Sequence, residues 1–325
     1  MKKKALIIVG LALGLIAGGA FGAFAGDGLV VEGKALRGTA YIQGHGGHVA
    51  VLDLDTGELS RIQHGKPSDA LNLSPDNKTL YMFSLDGNSA EVDLATGKVT
   101  PWKKLGLKHC GSENAPDGTV WVSDMKDGAI YIYDPKTKKL ADRIEVSKSV
   151  CGIDFSKDGK LAYASDMPGG FVSIIDVAKK KVIGKITGVG EFIHRARLTP
   201  DGTELWQSNG RELKDGKGFF SLDEPETFGN VVVIDTKTNK VKEVVKIGGN
   251  PHDVAFSPDG KYALVGSRQI PVREDSSLVV VDTETKQIVR TYSLCLPCHA
   301  KYGIEVPLDK DNGRAFLCAV DVAWK

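Results

Sequence analysis

Pro251-His-Asp-Val-Ala-Phe-Ser-Pro-Asp-Gly-Lys-Tyr-Ala-Leu-Val265, continued by Ser277-Leu-Val-Val-Val-Asp-Thr-Glu-Thr-Lys286, is the stretch that decides the fold. It holds short β-branched runs separated by turns of Asp, Gly, Pro and Thr, the composition of strands joined by tight hairpins. The first turn recurs as Ser74-Pro-Asp-Asn77, Ala115-Pro-Asp-Gly118, Ser156-Lys-Asp-Gly159 and Thr199-Pro-Asp-Gly202, with a degenerate copy at Asp309-Lys-Asp-Asn-Gly313. The second recurs as Asp53-Leu-Asp-Thr-Gly57, Asp93-Leu-Ala-Thr-Gly97, Asp134-Pro-Lys-Thr-Lys138, Asp176-Val-Ala-Lys-Lys180 and Asp235-Thr-Lys-Thr-Asn239. A period of ~40 residues with four strands per unit predicts an all-β propeller of four-stranded blades. Mature length over period predicts seven blades, with six as the alternative. The chain stops two strands into its last unit, through Gly303–Val306 and Ala315–Val320. We therefore expect the segment Gly28–Ala35 to pair with it and close the ring, because an open edge invites aggregation.

These turns resemble those of the bacterial YVTN-type propeller repeats and, more distantly, the d1-haem propeller of cytochrome cd1 nitrite reductases. The resemblance covers roughly residues 38–320. It implies the fold strongly and the function weakly, since such propellers host unrelated activities.

Around the repeats, Met1-Lys-Lys-Lys4, an apolar run and Ala23-Phe-Ala25 read as a secretory signal over residues 1–25, leaving residues 26–325 as a single propeller domain. An uncleaved anchor is the alternative, and then the N-terminal segment alone meets the membrane. Either way the folded part lies outside the cytoplasm, where disulfides persist. Basic residues (42) balance acidic ones (41), which argues against a nucleic-acid partner. No serine-protease-like motif, phosphate loop or paired-carboxylate signature appears, so the enzyme question stays open.

Strands a to d run from the inside of each blade to the outside. The a–b and c–d turns share one face of the disc, and the b–c and d–a connections share the other, here called the top. All seven histidines map to the top, as do Cys110, Cys151, Cys295 and Cys298, whereas Cys318 falls mid-strand. The residue seven before each first-turn aspartate is Asp69, Cys110, Cys151, His194 and His252 in successive repeats. Equivalent positions on innermost strands line the channel mouth, so metal-ligand side chains are expected to ring it. A disulfide between Cys110 and Cys151 is the competing expectation, open if their Cα atoms lie within ~7 Å.

Cys295-Leu-Pro-Cys298-His299 carries the C-x-x-C-H spacing of a c-type haem attachment site. Two thiols so spaced can each add to a haem vinyl group, placing His299 under the iron. A disulfide, a haem-free metal site or coincidence fit the same spacing. The motif is not part of the ordinary YVTN pattern. The leading expectation is an exported propeller with haem c at its mouth, His299 as proximal ligand, and His252, His194 or His109 on the far side or the sixth position open. Such a protein would serve electron transfer to a redox partner protein, or small-molecule redox chemistry. Arg268 and Arg273, in the inserted loop Arg268–Ser276, are expected to pair with haem propionates. A longer insertion, Gly210–Gly229, lies on the same face and carries Phe219-Phe220 and Asp223-Glu-Pro-Glu226. Two rival expectations remain: a copper site built from the His/Cys ring, loosely resembling the copper-cluster propeller of nitrous oxide reductases, and a scaffold that binds a protein on its top face.

Overall fold

The computed structural model describes residues 30–31, 34–44, 48–64, 69–102, 108–210, 229–268, 275–295 and 317–325. Six four-stranded antiparallel sheets stand radially, each pairing its strands in order from inside to outside. The innermost strands are Ala70–Leu73 in blade one, His109–Asn114 in blade two and Val150–Phe155 in blade three. Ile193–Leu198, Asn250–Phe256 and Leu317–Trp324 follow in blades four, five and six. Each touches the next, and Leu317–Trp324 touches Ala70–Leu73, so the six form a closed ring.

The blade count is six, the alternative held beside seven, and the ring closes through a different segment from the one expected. The N-terminal unit and the C-terminal fragment are one blade, not two. Leu317–Trp324 is its innermost strand and pairs with Gly38–Gly44, which continues outward to His48–Asp53 and Leu59–Gln63. Insertions in blades four to six take up length that the division by period assigned to a seventh blade. The expected closing segment does something else: Val30–Val31 pairs with Lys34–Ala35 as a separate hairpin. Burial explains the choice of Gly38–Gly44. Ala40 and Ile42 join Val320, Val322 and Leu264 in one buried cluster. Of the strand expected at Gly303–Val306, the whole lies outside the described residues.

The turns work as their composition implies. Ser74 Oγ donates to Asp76 Oδ1 at 2.6 Å and accepts the Thr79 amide at 2.9 Å. Ser257 repeats this with Asp259 and Tyr262 at 2.7 and 3.0 Å. The fourth turn residue has left-handed φ, 69° at Gly260 and 56° at Asn77, conformations that glycine and asparagine tolerate. Because each sheet packs between two others, third strands such as Asn230–Asp235 bury Val231, Val232, Val233 and Ile234 on both faces.

Candidate functional site at the channel mouth

The candidate ring residues stand on β-bulges. In blades two to six the inner strand carries one extra residue against its neighbour, between His109 and Ser112, Val150 and Ile153, Ile193 and Ala196, Pro251 and Asp253, and Leu317 and Ala319. A bulge frees backbone groups and re-aims side chains. Here second-strand serines take up the freed groups. Ser123 Oγ receives the Gly111 amide and donates to the Cys151 carbonyl of the next blade at 2.5 Å. Ser208 Oγ does the same between Arg195 and the His252 carbonyl at 2.9 Å. The serine recurs as Ser84, Ser165 and Ser267, a signal present in the repeats that an eye fixed on Cys and His passes over.

The ring divides into neighbouring pairs. Cys110 and Cys151, from blades two and three, form a disulfide with Cα atoms 4.8 Å apart. Gly111 permits this approach: a Cβ there would lie 2.1 Å from the Cys151 carbonyl oxygen. His194 and His252, from blades four and five, stack with ring centroids 3.6 Å apart and planes 28° apart. Among the described residues no three His, Cys, Asp or Glu side chains gather on one point as metal ligands do. The disulfide sulfurs are bonded to each other and are not thiolate donors, so the expected four-residue metal ring is replaced by two pairs.

One position deeper, the channel is plugged. Arg195, buried, crosses from blade four to the opposite side. Its Nη1 donates to Asp253 Oδ2 at 2.7 Å, and its Nη2 donates to the carbonyls of Asp69 at 2.6 Å and of Cys110. Asp253 Oδ2 also accepts the Val320 amide at 3.2 Å. One guanidinium and one carboxylate thereby tie the inner strands of blades one, two, four, five and six. Removing one partner of such a buried pair would strand a buried charge. Below the plug, Arg197 bonds Glu113 and lies 3.4 Å from Asp253 Oδ1. Asp154 accepts the Leu198 amide at 2.6 Å across the blade interface. Burial, reinforced by Asp253 and Asp321 and opposed by the backbone amides, pushes Asp154 up to about 7.

His109 does not face the mouth. The alternation of the strand turns it into the interface of blades one and two, fully buried and edge-on to Phe83 and Tyr133 at 5.8 and 6.2 Å. Burial pushes it down to about 4, so its 3.8 Å approach to Asp124 is not an ion pair near neutral pH. The structure removes it from the candidate ligands; His194 and His252 remain.

Of the haem motif, Cys295 is the last residue of the outermost strand of blade five, Ile288–Cys295, where its backbone pairs with Asp275. Cys298, His299 and Arg273 lie outside the described residues, as do Phe219-Phe220 and Asp223–Glu226. Arg268 is the last residue of the second strand of blade five, Tyr262–Arg268. The longer insertion springs from Gly210, where an added Cβ would stand 2.9 Å from His194 Nε2. Its roots are tied by Asn209 Nδ2, which donates to the Val189 carbonyl at 2.6 Å.

No family model matches the chain. It is 30% identical over 224 residues to antigen Lp49 of Leptospira interrogans, covering 58% of this chain and 48% of the antigen. The chain thus spans about half the length of that relative. It is 21% identical over 312 residues to protein NirF of Stutzerimonas stutzeri, covering 76% of this chain and 78% of NirF. Among solved structures, a chain of Kuenenia stuttgartiensis hydrazine synthase matches with a TM-score of 0.58 at 23% identity, over 73% of this chain and 71% of that one. At that identity the likeness speaks for the fold alone. With six radial four-stranded sheets closed by its two ends, the chain is a six-bladed β-propeller.

Proposed function

We propose that this propeller is an exported redox protein carrying a covalent c-type haem at its top mouth, joined through Cys295 and Cys298 with His299 as axial ligand. The observation that carries this is the position of the motif. It begins where the outermost strand of blade five ends, at Cys295, and the chain re-enters at Leu317, the start of the innermost strand of blade six. That d–a connection leaves and returns on the face bearing the His194–His252 stack. The local donors suit the group: two imidazoles at the rim, and Arg268 at the end of a strand leading to the same face for a propionate. When bound, a c-type haem supplies one-electron transfer, or small-ligand chemistry where an axial position stays open.

The chain's own residues set the direction of exchange. Arg195 closes the channel beneath the rim, so a redox partner protein would exchange electrons over the top face and not through the disc. The Cys110–Cys151 disulfide and the signal-like N-terminus agree with an oxidising compartment outside the cytoplasm. The resemblance to the d1-haem propeller supports a haem-linked role.

The test is an absorption spectrum of protein produced with the haem-attachment machinery. A Soret band that survives denaturation, and is lost in C295S/C298S, is the expected result. A featureless spectrum overturns the proposal.

A further inference from the structure

Cys110 and Cys151 pack with Met167, and Met125 joins the same small cluster, which contains no side chain without sulfur. The chain has only four methionines, and one of them is Met1, so the gathering of two beside the one described disulfide is not a matter of abundance. The repeats make the pattern sharper. Ser123-Asp-Met125 and Ser165-Asp-Met167 are the same tripeptide at the same place in blades two and three, just after the second strand. Both blades carry cysteine at the inner-strand bulge; the third bulge cysteine, Cys318 of blade six, has no methionine at the corresponding place, where the sequence reads Gln43-Gly44-His45. The corresponding stretches in blades one, four and five are Ser84-Leu-Asp86, Ser208-Asn-Gly210 and Ser267-Arg-Gln269, with no cysteine in those blades' rings. In blades two and three cysteine and methionine therefore come together, at adjacent positions on the top rim. Packing alone does not require this, since leucine or valine would fill the same space.

We propose that Cys110, Cys151, Met125 and Met167 form a redox-gated site for a soft monovalent cation, Cu(I). Two thiolates and two thioethers are the ligand set that selects Cu(I) over harder ions. In the oxidised state the sulfurs are bonded to each other at 2.06 Å and the site is shut. A dithiol reductant opens it: the Sγ–Sγ bond takes two electrons and two protons, giving two thiols, and the reductant becomes a disulfide. Cu(I) then displaces the two thiol protons to solvent, with no change in its oxidation state. Thiolates around one ion at a metal–sulfur distance of ~2.3 Å stand ~3.8 Å apart in tetrahedral geometry. A Cα separation of 4.8 Å is compatible with that opening after side-chain rotation. Met167 is 8% exposed and Cys110 9%, so the cluster lies just under the surface within reach of an incoming ion.

The test uses full-length mature protein in a C295S/C298S background, so that the C-x-x-C pair cannot bind the probe. The protein is reduced with a phosphine, desalted anaerobically and titrated with Cu(I) bicinchoninate. We expect one equivalent of Cu(I) to move to the reduced protein and none to the oxidised protein, with the same far-UV circular dichroism for both. In M125L/M167L, a nearly volume-conserving change that the fold should tolerate, the competition affinity should fall about tenfold or more; outer-shell partners alone are worth about 10–100-fold. Three results each overturn the proposal: no Cu(I) retained after reduction, unchanged affinity in M125L/M167L, or loss of the propeller spectrum on reduction, which would make the bond a structural staple.

Discussion

Replacing His109 with phenylalanine should make the protein gain stability, relative to the parent, as pH falls from 7 to 4. Burial lowers His109 from 6.5 to about 4. In that window the unfolded chain binds a proton that the native chain refuses, so native stability rises with pH and is lost on acidification. At about 1.4 kcal/mol per pH unit, the loss is about 3 kcal/mol from pH 6.5 down to 4. Asp154 acts oppositely. Its native value of about 7 against 3.8 means that the native chain holds a proton the unfolded chain has released. Its contribution is therefore fully present at low pH and is lost as pH rises toward 7. The same conversion gives about 4 kcal/mol, reduced to about 2 because Asp154 is only half-buried. The two slopes offset each other in the native protein. H109F leaves the Asp154 slope, so the variant should gain stability as pH falls from 7 to 4.5. D154N leaves the His109 slope, so that variant should lose stability over the same range. Urea unfolding at several pH values, followed by fluorescence of the buried Trp102, Trp121 and Trp206, reads both. Each variant is compared with the parent at the same pH, which cancels the exposed turn aspartates. Parallel curves for parent, H109F and D154N would refute the account of both sites.

Other outcomes follow from the same geometry. R195M should lower unfolding free energy by about 3–5 kcal/mol, because Asp253 is left charged and buried without its guanidinium; a midpoint within error of the parent would mean that the plug carries no stability. Deleting residues 317–325 should prevent a stable monomeric propeller, since the inner strand of blade six is lost. Deleting residues 27–35 should shift the thermal midpoint little, because among the described residues Val30–Val31 and Lys34–Ala35 pair with each other and the blade edge is paired by Gly38–Gly44. Opening the Cys110–Cys151 bond, which spans 41 residues, should cost up to about 4 kcal/mol without unfolding the disc.

The repeat was legible in the sequence because a blade is a local object. Its turns need Asp, Ser, Gly and Thr at set places, and its strands need β-branched residues at both buried faces, so every copy announces itself. The placement of Cys110, Cys151, His194 and His252 on one face was legible for the same reason: strand direction alternates, and a position in the repeat fixes a face. Strand count per blade and the equivalence of Cys110, Cys151, His194 and His252 also needed nothing beyond spacing. What spacing could not supply was partnership between distant segments. Which N-terminal strand completes the last blade depends on burial against blades five and six, and this selected Gly38–Gly44 over Gly28–Ala35. The blade count of six follows from that choice. The bulge at the inner strands of blades two to six is a one-residue slip visible only when two strands are laid side by side, and it turns His109 inward while Cys110 meets Cys151. Arg195 reads in the sequence as one more basic residue. It becomes the plug only because ring closure brings Asp69, Cys110 and Asp253, far apart in the chain, within reach of one guanidinium.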